Sequence, residues 1–211
     1  MKRQEIVAKI KQEKLIAIVR LKEQGKVPVF VEKLVNANVK VLEITSNTPG
    51  YLEEIANARK RYANDSVLIG AGTVTNVEIA KKAIAAGAQF LVTPNTNLAV
   101  ITIAHQNEIP VVMGALTPTE ICTAVYHNAD IIKLFPAGTM GLDYFKSIKG
   151  PLNTTDFFVV GGIDLSNVEE WMSAGVAGVG LGSVLTNCLE SEGTSESLEK
   201  TLLELFKKLN K

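Results

Sequence analysis

Apolar residues fall along this chain in eight short runs, and stretches of helical spacing separate these runs. Each run is continuous rather than alternating, so its residues are apolar on both faces, and such runs predict buried β-strands. The predicted strands cover residues 15–20, 39–45, 67–74, 89–94, 110–114, 130–137, 156–163 and 178–183. Between them apolar residues recur at helical spacing, as in residues 26–38, 51–62 and 98–106.

Strand and helix therefore alternate eight times, after a first amphipathic helix at the start of the chain. Continuous apolar strands are typical of a parallel sheet that helices cover. Eight such units in 211 residues predict an α/β fold, a closed (β/α)8 or TIM barrel with an extra N-terminal helix. An open, doubly wound sheet is the alternative, although no GxGxxG sequence follows the first strand. No linker-like stretch divides the chain, so we predict one domain over residues 1–211.

Three helix starts show a threonine or serine that is followed three residues later by a glutamate. This pattern is the capping box, in which the two side chains bond to each other's backbone amides. It predicts helices that begin next to Thr75, Thr117 and Ser166. Pro118 stands at the first helical position of the second one, where proline fits best.

Charge and composition narrow the range of partners. The chain has 22 Lys and Arg residues against 22 Asp and Glu residues, so nothing favours nucleic acid or an anionic membrane. The start of the chain is charged rather than signal-like, and no apolar run approaches the ~18 residues of a membrane span. Cys122 and Cys188 lie far apart, which is typical of a reduced cytoplasmic protein. We expect no metal site, although carboxylates that are distant in the sequence leave such a site as an alternative.

One lysine interrupts the sixth apolar run. Lys133 lies in the segment DIIKLFPA, residues 130–137, among positions that the pattern predicts to be buried. Burial of a charged ammonium is costly, so a buried lysine shifts towards the neutral amine. Because a neutral amine attacks carbonyl carbon, Lys133 is a candidate Schiff-base lysine. The alternative is a structural lysine that reaches solvent or pairs with a buried carboxylate.

Glu43, in the second predicted strand, is the candidate partner of this lysine. Side chains alternate faces along a strand, so Lys133 and Phe135 share one face of the sixth strand. If that face and the face that holds Glu43 both point into the barrel, Glu43 and Lys133 enter one cavity. Glu43 would there move protons during carbon–carbon cleavage. A buried ion pair without chemistry is the alternative, although such pairs stabilise proteins poorly.

The other candidate residues stand where predicted strands end, which is where barrel enzymes place their active sites. Arg20 ends the first strand, Thr73 follows two glycines in the third, and Pro94 ends the fourth. Thr73 is a candidate to hold a substrate carboxylate or to cap the next helix. Arg20 is a candidate to meet a carboxylate or phosphate or to pair with Glu43.

Glycines end the seventh and eighth predicted strands. Gly161 and Gly162 follow the seventh, and Gly182 and Ser183 end the eighth. Backbone N–H groups that no side chain covers approach an anion closely, and the start of the next helix adds its dipole. These positions therefore predict a phosphate site, with tight turns that merely need glycine as the alternative.

These segments, taken in order, resemble a known family. They are VLEIT around Glu43, GAGTV around Thr73, TP at 93–94, KLFPA from Lys133, GGI at 161–163 and GLGS at 180–183. Together they are similar to the 2-keto-3-deoxy-6-phosphogluconate (KDPG) and 4-hydroxy-2-oxoglutarate (KHG) aldolases, over about residues 15–183. GAGTV and KLFPA at this spacing are the most specific part of the resemblance.

The resemblance implies a class I, metal-independent aldolase without a cofactor, assembled as a homotrimer. Lys133 would be its Schiff-base lysine and Glu43 its general acid/base. The expected substrate is a phosphorylated 2-keto acid, KDPG, which would be cleaved to pyruvate and glyceraldehyde 3-phosphate. KHG, which would give pyruvate and glyoxylate, is a second candidate.

The same resemblance distributes the binding roles. Thr73 and the backbone around Pro94, with Arg20 in the same group, would face the carboxylate of pyruvate. The phosphate would lie against four residues of the last two strand ends, Gly161, Gly162, Gly182 and Ser183.

Two positions depart from the common family pattern. Many members have an arginine shortly after the strand that holds Glu43, where this chain has Asn47, and a threonine where this chain has Val160. Both variants look like the 2-keto-3-deoxy-6-phosphogalactonate (KDPGal) aldolases, so KDPGal is an alternative substrate. Two further alternatives are a sugar-phosphate barrel without a Schiff base, such as an epimerase, and a sensor that binds without turnover.

Overall fold

The computed structural model of the chain describes residues 1–64, 66–190 and 195–210. Its eight strands are all parallel and follow one another around a closed barrel in chain order. They are β1 (Leu15–Val19), β2 (Val41–Thr45), β3 (Leu68–Gly72), β4 (Leu91–Val92), β5 (Val111–Ala115), β6 (Ile131–Leu134), β7 (Phe157–Val160) and β8 (Gly178–Leu181). Residue pairs such as Leu15 and Val179 join β1 to β8. The predicted barrel is confirmed, and the open-sheet alternative is wrong.

Helices surround the barrel and follow the strands. They are α1 (Arg3–Glu13), α2 (Val27–Asn36), α3 (Tyr51–Arg61), α4 (Val77–Ala85), α5 (Leu98–Gln106), α6 (Pro118–Tyr126), α7 (Ala137–Met140), α8 (Leu142–Lys149), α9 (Val168–Ser173), α10 (Ser183–Glu190) and α11 (Ser195–Leu209). No described helix is long and apolar enough to cross a membrane.

The continuous apolar strands are buried on both faces because two cores form. The outward faces pack against the helices, with Phe30, Phe145 and Trp171 among the buried residues of that layer. The inward faces form a second cluster inside the barrel, in which Phe90 and Phe158 are fully buried. One face of α1 joins this inner cluster through three residues, Ile6, Val7 and Ile10. The predicted N-terminal helix therefore closes the end of the barrel where the strands begin.

The three predicted capping boxes have different outcomes. Thr117 accepts a hydrogen bond from the Glu120 amide, and the Glu120 carboxylate accepts one from the Thr117 amide, so that box is confirmed. The box at Thr75 is wrong, because the side chain of Asn76 caps α4 by accepting from the Ile79 amide at 2.9 Å.

The capping box at Ser166 is also wrong. Helix α9 begins one residue later than that box requires, after Asn167. The Ser166 hydroxyl donates instead to the carboxylate of Asp164, which lies two residues before it. A carboxylate is a strong acceptor, so this local bond competes with the cap that the sequence pattern suggests.

Candidate active site

A cavity of about 360 Å³ opens at the carboxyl ends of the strands. All the predicted site residues except Glu43 line it: Arg20, Thr73, Pro94, Lys133, Gly161, Gly162, Gly182 and Ser183. They come from the ends of six different strands, or from the loops that follow them. The fold therefore brings together residues that are up to 163 positions apart between Arg20 and Ser183. It places them at the end of the barrel where this architecture holds its active sites.

Lys133 lies on β6, and only 5% of its surface is exposed. Burial lowers the pKa of its amine; the nearby Glu43 raises that pKa, and Arg20 lowers it further. Its Nζ atom lies 5.1 Å from the centre of the Phe135 ring. No hydrogen bond or ion pair reaches this amine from the part of the chain that the structure describes. The amine therefore has the surroundings that favour its neutral, nucleophilic form.

Glu43 lies on β2, is 1% exposed and is not among the described residues that line the cavity. Burial raises the pKa of its carboxyl group, and the positive charges of Lys133 and Arg20 oppose that rise. Its Oε2 atom is buried and accepts no hydrogen bond from the described residues. A carboxyl group in these surroundings is suited to exchange protons.

The structural alternative for Glu43 and Lys133 was a buried ion pair. No such pair forms between them, since neither group has an ion-pair partner among residues 1–64, 66–190 and 195–210. The charge of each group nevertheless acts on the pKa of the other: Lys133 lowers that of Glu43, and Glu43 raises that of Lys133. Gly72 makes room for the carboxylate, because a Cβ atom there would lie 2.5 Å from Glu43 Oε1.

Thr73 and Arg20 contact each other at the rim of the cavity. The Nη2 atom of Arg20 donates to the Thr73 hydroxyl over 3.2 Å. Arg20 therefore bonds to Thr73, while its charge also lowers the pKa of Glu43, and its role towards a substrate carboxylate or phosphate stays a prediction. Thr73 does not cap the next helix, since Asn76 does so. Its hydroxyl and the guanidinium together offer hydrogen-bond donors to an anion.

The position of Pro94 depends on Thr93 and on a glycine of β5. The fully buried Thr93 hydroxyl accepts from the Gly114 amide and donates to the Asn95 carbonyl, both over 2.8 Å. A Cβ atom on Gly114 would lie 2.4 Å from the carbonyl carbon of Pro94, so glycine allows the loop to pack directly on β5. The loop that holds Pro94 is thus held by the two hydrogen bonds of Thr93 and by its close packing on Gly114 of β5.

The glycine segments at the ends of β7 and β8 form another part of the cavity wall. Gly161 and Gly162 have φ angles of 86° and 76°, which only glycine adopts without strain. The Gly161 carbonyl accepts from the Gly138 amide over 2.7 Å, which ties this turn to the start of α7. Helix α10 begins at Ser183, directly after Gly182, and both residues line the cavity. The glycine turn after β7 and the N-terminus of α10 therefore line one space, and such an arrangement suits an anion site.

The sequence analysis missed several residues of the cavity wall. Ile18 lines the cavity two residues before Arg20 on β1, and strand alternation from Arg20 identifies it. Thr186 and Asn187 also line it, three and four residues after Ser183, which is the helical spacing of one face. Asn47, by contrast, is exposed and lies outside the lining that the described residues form.

The structure offers no cluster of three or more His, Cys, Asp or Glu side chains that could hold a metal ion, within the described ranges. Cys122 is exposed and Cys188 is half-buried, and both are free thiols. Val160, the position that departs from the common family pattern, is 7% exposed and lines the cavity.

Comparison with known proteins supports the same family. A sequence model of the family described as KDPG and KHG aldolase matches residues 6–199. The 2-dehydro-3-deoxy-6-phosphogalactonate aldolase of Escherichia coli K12 is 36% identical over 172 residues, which are 81% of this chain and 83% of that protein. The 2-dehydro-3-deoxy-phosphogluconate aldolase of Treponema pallidum is 32% identical over 161 residues, 76% of each.

Solved structures give the same result. A structure described as native KDPGal has a TM-score of 0.84 and 32% identity, and the match covers 93% of this chain and 94% of that one. A KDPG aldolase from Legionella pneumophila, with pyruvate captured as a covalent carbinolamine intermediate, has a TM-score of 0.84 and 25% identity over 93% of this chain and 96% of that one. The chain therefore belongs to the KDPG and KHG aldolase family and is an aldolase, a carbon–carbon lyase.

Proposed function

We propose that this chain is a class I aldolase that forms a Schiff base through Lys133. The observation that carries the proposal is the state of this amine. It is buried on β6, its pKa is lowered by that burial, and it lines the cavity without an ion-pair partner among the described residues. The Legionella relative, captured with pyruvate as a covalent carbinolamine, supports the same chemistry.

The reaction begins with the neutral Lys133 amine. Its Nζ atom attacks C2 of the 2-keto acid, and the carbonyl oxygen takes up a proton to give a carbinolamine. Loss of water leaves an iminium ion, in which the lysine nitrogen is bonded to C2. The positive iminium nitrogen can accept the electron pair of the bond between C3 and C4. Burial lowers the pKa of Lys133 from its ordinary value and so favours this route, because it increases the fraction of neutral amine.

Glu43 supplies proton transfer for the cleavage. Its carboxylate removes the proton of the C4 hydroxyl, directly or through a water molecule, while the C3–C4 bond breaks. The C4 oxygen becomes the carbonyl of the released aldehyde, and the bonding pair forms the enamine of pyruvate. Protonation of C3 restores the iminium ion, and addition of water frees pyruvate and the Lys133 amine. The raised pKa of Glu43 lets this group both accept and return a proton.

The walls of the cavity suit the two ends of the substrate. Thr73, which Arg20 contacts, and the backbone at Pro94 line the part of the cavity where we place the carboxylate of the pyruvate half. We place the phosphate against the backbone amides of four residues at the ends of β7 and β8 that line the cavity, Gly161, Gly162, Gly182 and Ser183. No cofactor enters this scheme, since the iminium nitrogen provides the electron sink.

We propose KDPG as the substrate, cleaved to pyruvate and glyceraldehyde 3-phosphate, with KHG as a second substrate that gives pyruvate and glyoxylate. KDPGal, which differs at C4, is the alternative. Two observations favour that alternative: the Escherichia coli relative named for the galactonate compound is 36% identical, and the apolar Val160 lines the cavity. Comparing kcat/KM for the two C4 epimers decides between them, because the site must hold the C4 hydroxyl in one orientation.

The test of the aldolase proposal is pyruvate release from KDPG, KDPGal and KHG, for the wild type and Lys133→Ala. We expect turnover that a chelator leaves unchanged and that Lys133→Ala abolishes. Lys149→Ala is the matched control, since the Lys149 amine also lies over an aromatic ring, Phe157, at 5.4 Å, but outside the cavity. Turnover that survives in Lys133→Ala, or that the chelator removes, would contradict the proposal.

We also propose that the chain acts as a cytoplasmic, single-domain homotrimer. Family expectation supports the trimer, and a 32% identical neighbour, a protein cage that was designed by fusing symmetric oligomeric domains, supports an oligomer without giving the number of subunits. Light scattering on the purified protein is expected to give three times the mass of one chain. A mass of one or two chains at assay concentration would contradict the trimer.

A further inference from the structure

Thr73 has an unusual backbone conformation. Its φ angle is 57°, in the left-handed region, although threonine is branched at Cβ and rarely adopts such an angle. Strained residues of this kind persist only where their surroundings hold them, and they concentrate at functional sites. Thr73 lines the cavity at the end of β3, so its backbone determines where its hydroxyl points.

The side chain of Ser46 holds this conformation. Its hydroxyl donates to the Thr73 carbonyl over 2.8 Å, and its amide donates to the Gly72 carbonyl, also over 2.8 Å. Ser46 therefore bonds to the carbonyls of both Gly72 and Thr73, which lie on either side of the strained φ angle of Thr73. The residue after Thr73 is also bonded, because the Val74 amide donates to the Val92 carbonyl on β4 over 3.1 Å. The hydrogen bond from Arg20 reaches the side chain of Thr73, at 3.2 Å, and not its backbone.

Ser46 is itself outside the cavity lining that the described residues form. It directly follows β2, three residues after Glu43, and it bonds to Gly72, the glycine that makes room for the Glu43 carboxylate. Ser46 therefore connects the end of β2, the strand that holds the proposed acid/base Glu43, to the end of β3, where Thr73 is the proposed ligand of the substrate carboxylate. Contacts of this kind keep reactive groups in place without touching the substrate.

We propose that Ser46 is a positioning residue: it holds Thr73 in the left-handed conformation and so aims the Thr73 hydroxyl at the carboxylate of the 2-keto acid. This inference rests on the proposed function. The carboxylate is bound in every state along the reaction, so a misplaced Thr73 weakens substrate and transition state alike. Such uniform loss raises KM and leaves kcat almost unchanged.

The kinetic test uses Ser46→Ala. We expect the KM for the 2-keto acid to rise about three- to tenfold, the range for loss of one hydrogen bond, with kcat within about twofold. Ser46→Thr retains the hydroxyl and is expected to restore the wild-type KM. Ser147→Ala is the matched control, because Ser147 also donates to a backbone carbonyl over 2.8 Å, on α8 and outside the cavity. Its KM is expected to match the wild type.

A double variant asks whether Ser46 acts through Thr73. Thr73→Val removes the hydroxyl and raises KM by itself, so adding Ser46→Ala to it is expected to raise KM little further. Independent, multiplicative effects of the two substitutions would overturn the inference, and so would an unchanged KM in folded Ser46→Ala. Should Ser46→Ala fail to fold, Ser46→Cys, a weaker donor of similar size, replaces it in the same comparison.

A crystal structure of the Ser46 variant tests the geometry without any substrate. We expect Thr73 to leave the left-handed region or to lose its bond to Arg20. If Thr73 keeps both, the inference is wrong even if the protein is an aldolase. If the wild type releases no pyruvate, the proposed function is wrong, and the crystal structure still shows whether Ser46 holds Thr73.

Discussion

Gly72→Ala would place a methyl group in the space that the Glu43 carboxylate occupies. A Cβ atom at this position would lie 2.5 Å from Glu43 Oε1 and 2.6 Å from its carboxyl carbon. The φ angle of Gly72 is outside the left-handed region, so alanine fits the backbone itself. The substitution therefore acts mainly on the position of one carboxylate, which we propose to be the general acid/base.

The size of the effect follows from these distances. Ordinary contact begins at 3.4 Å, so the Glu43 carboxylate has to move by about 0.9 Å. A misplacement of about 1 Å at a reacting group costs roughly 100-fold in rate, and we expect this loss in kcat for Gly72→Ala. The stability cost is expected to be small, about 1 kcal/mol, because the displaced group is the free end of a side chain.

Gly70→Ala is the matched control on the same strand. Its added Cβ atom would lie 2.6–2.7 Å from three atoms of the Phe90 ring, which is fully buried in the inner cluster near α1. A rigid ring in a packed core cannot move away as easily, so we expect a loss of about 1–3 kcal/mol in the free energy of unfolding. Its kcat is expected to remain within about threefold of the wild type.

The two variants are compared by steady-state kinetics and by urea unfolding. Trp171, the single tryptophan, is buried against Phe145 at 5.8 Å between ring centres and reports unfolding by its fluorescence. We expect Gly72→Ala to lose mainly activity and Gly70→Ala to lose mainly stability. A folded Gly72→Ala protein with kcat within about twofold of the wild type would refute the argument that Glu43 must stay in place.

Three further predictions concern stability. Burial raises the pKa of Glu43 above 4.5, so between 4.5 and that raised pKa the folded protein binds more protons than the unfolded protein, and its stability falls as pH rises. Glu43→Gln is therefore expected to raise the free energy of unfolding at neutral pH. Thermal melts from pH 4 to 8 check this gain, which is expected to disappear below about pH 4.5. Ile10→Ala, on the face of α1 that closes the barrel, is expected to cost about 2–5 kcal/mol in urea unfolding, because Ile10 is fully buried. Thr93→Val leaves the Gly114 amide without its acceptor and is expected to cost about 1–3 kcal/mol, while a native-like unfolding midpoint would contradict that role.

Much of the barrel and its site could be predicted from local pattern. Eight continuous apolar runs predicted the parallel strands, and the period of two along a strand placed Glu43 and Lys133 inside the same barrel. The glycines after β7 and β8 line the cavity with Ser183, as their position at strand ends indicated. These predictions succeed because strand alternation and strand order determine where the side chains of a barrel strand lie.

The features that failed or were missed depend on contacts between distant segments. The left-handed angle of Thr73 and its bond to Ser46, 27 residues away, have no local sequence signal. Asn76 and Asp164 competed successfully with the predicted caps at Thr75 and Ser166, since each offers an alternative hydrogen bond nearby.

The most direct test of the central claim is borohydride reduction in the presence of pyruvate, followed by mass spectrometry of the intact protein and its peptides. Reduction converts a Schiff base into a stable amine, so the account predicts a pyruvate adduct on the peptide that contains Lys133, and none in Lys133→Ala. Folded wild-type protein without an adduct, or with the adduct on another lysine such as Lys149, would contradict the claim that Lys133 is the nucleophile.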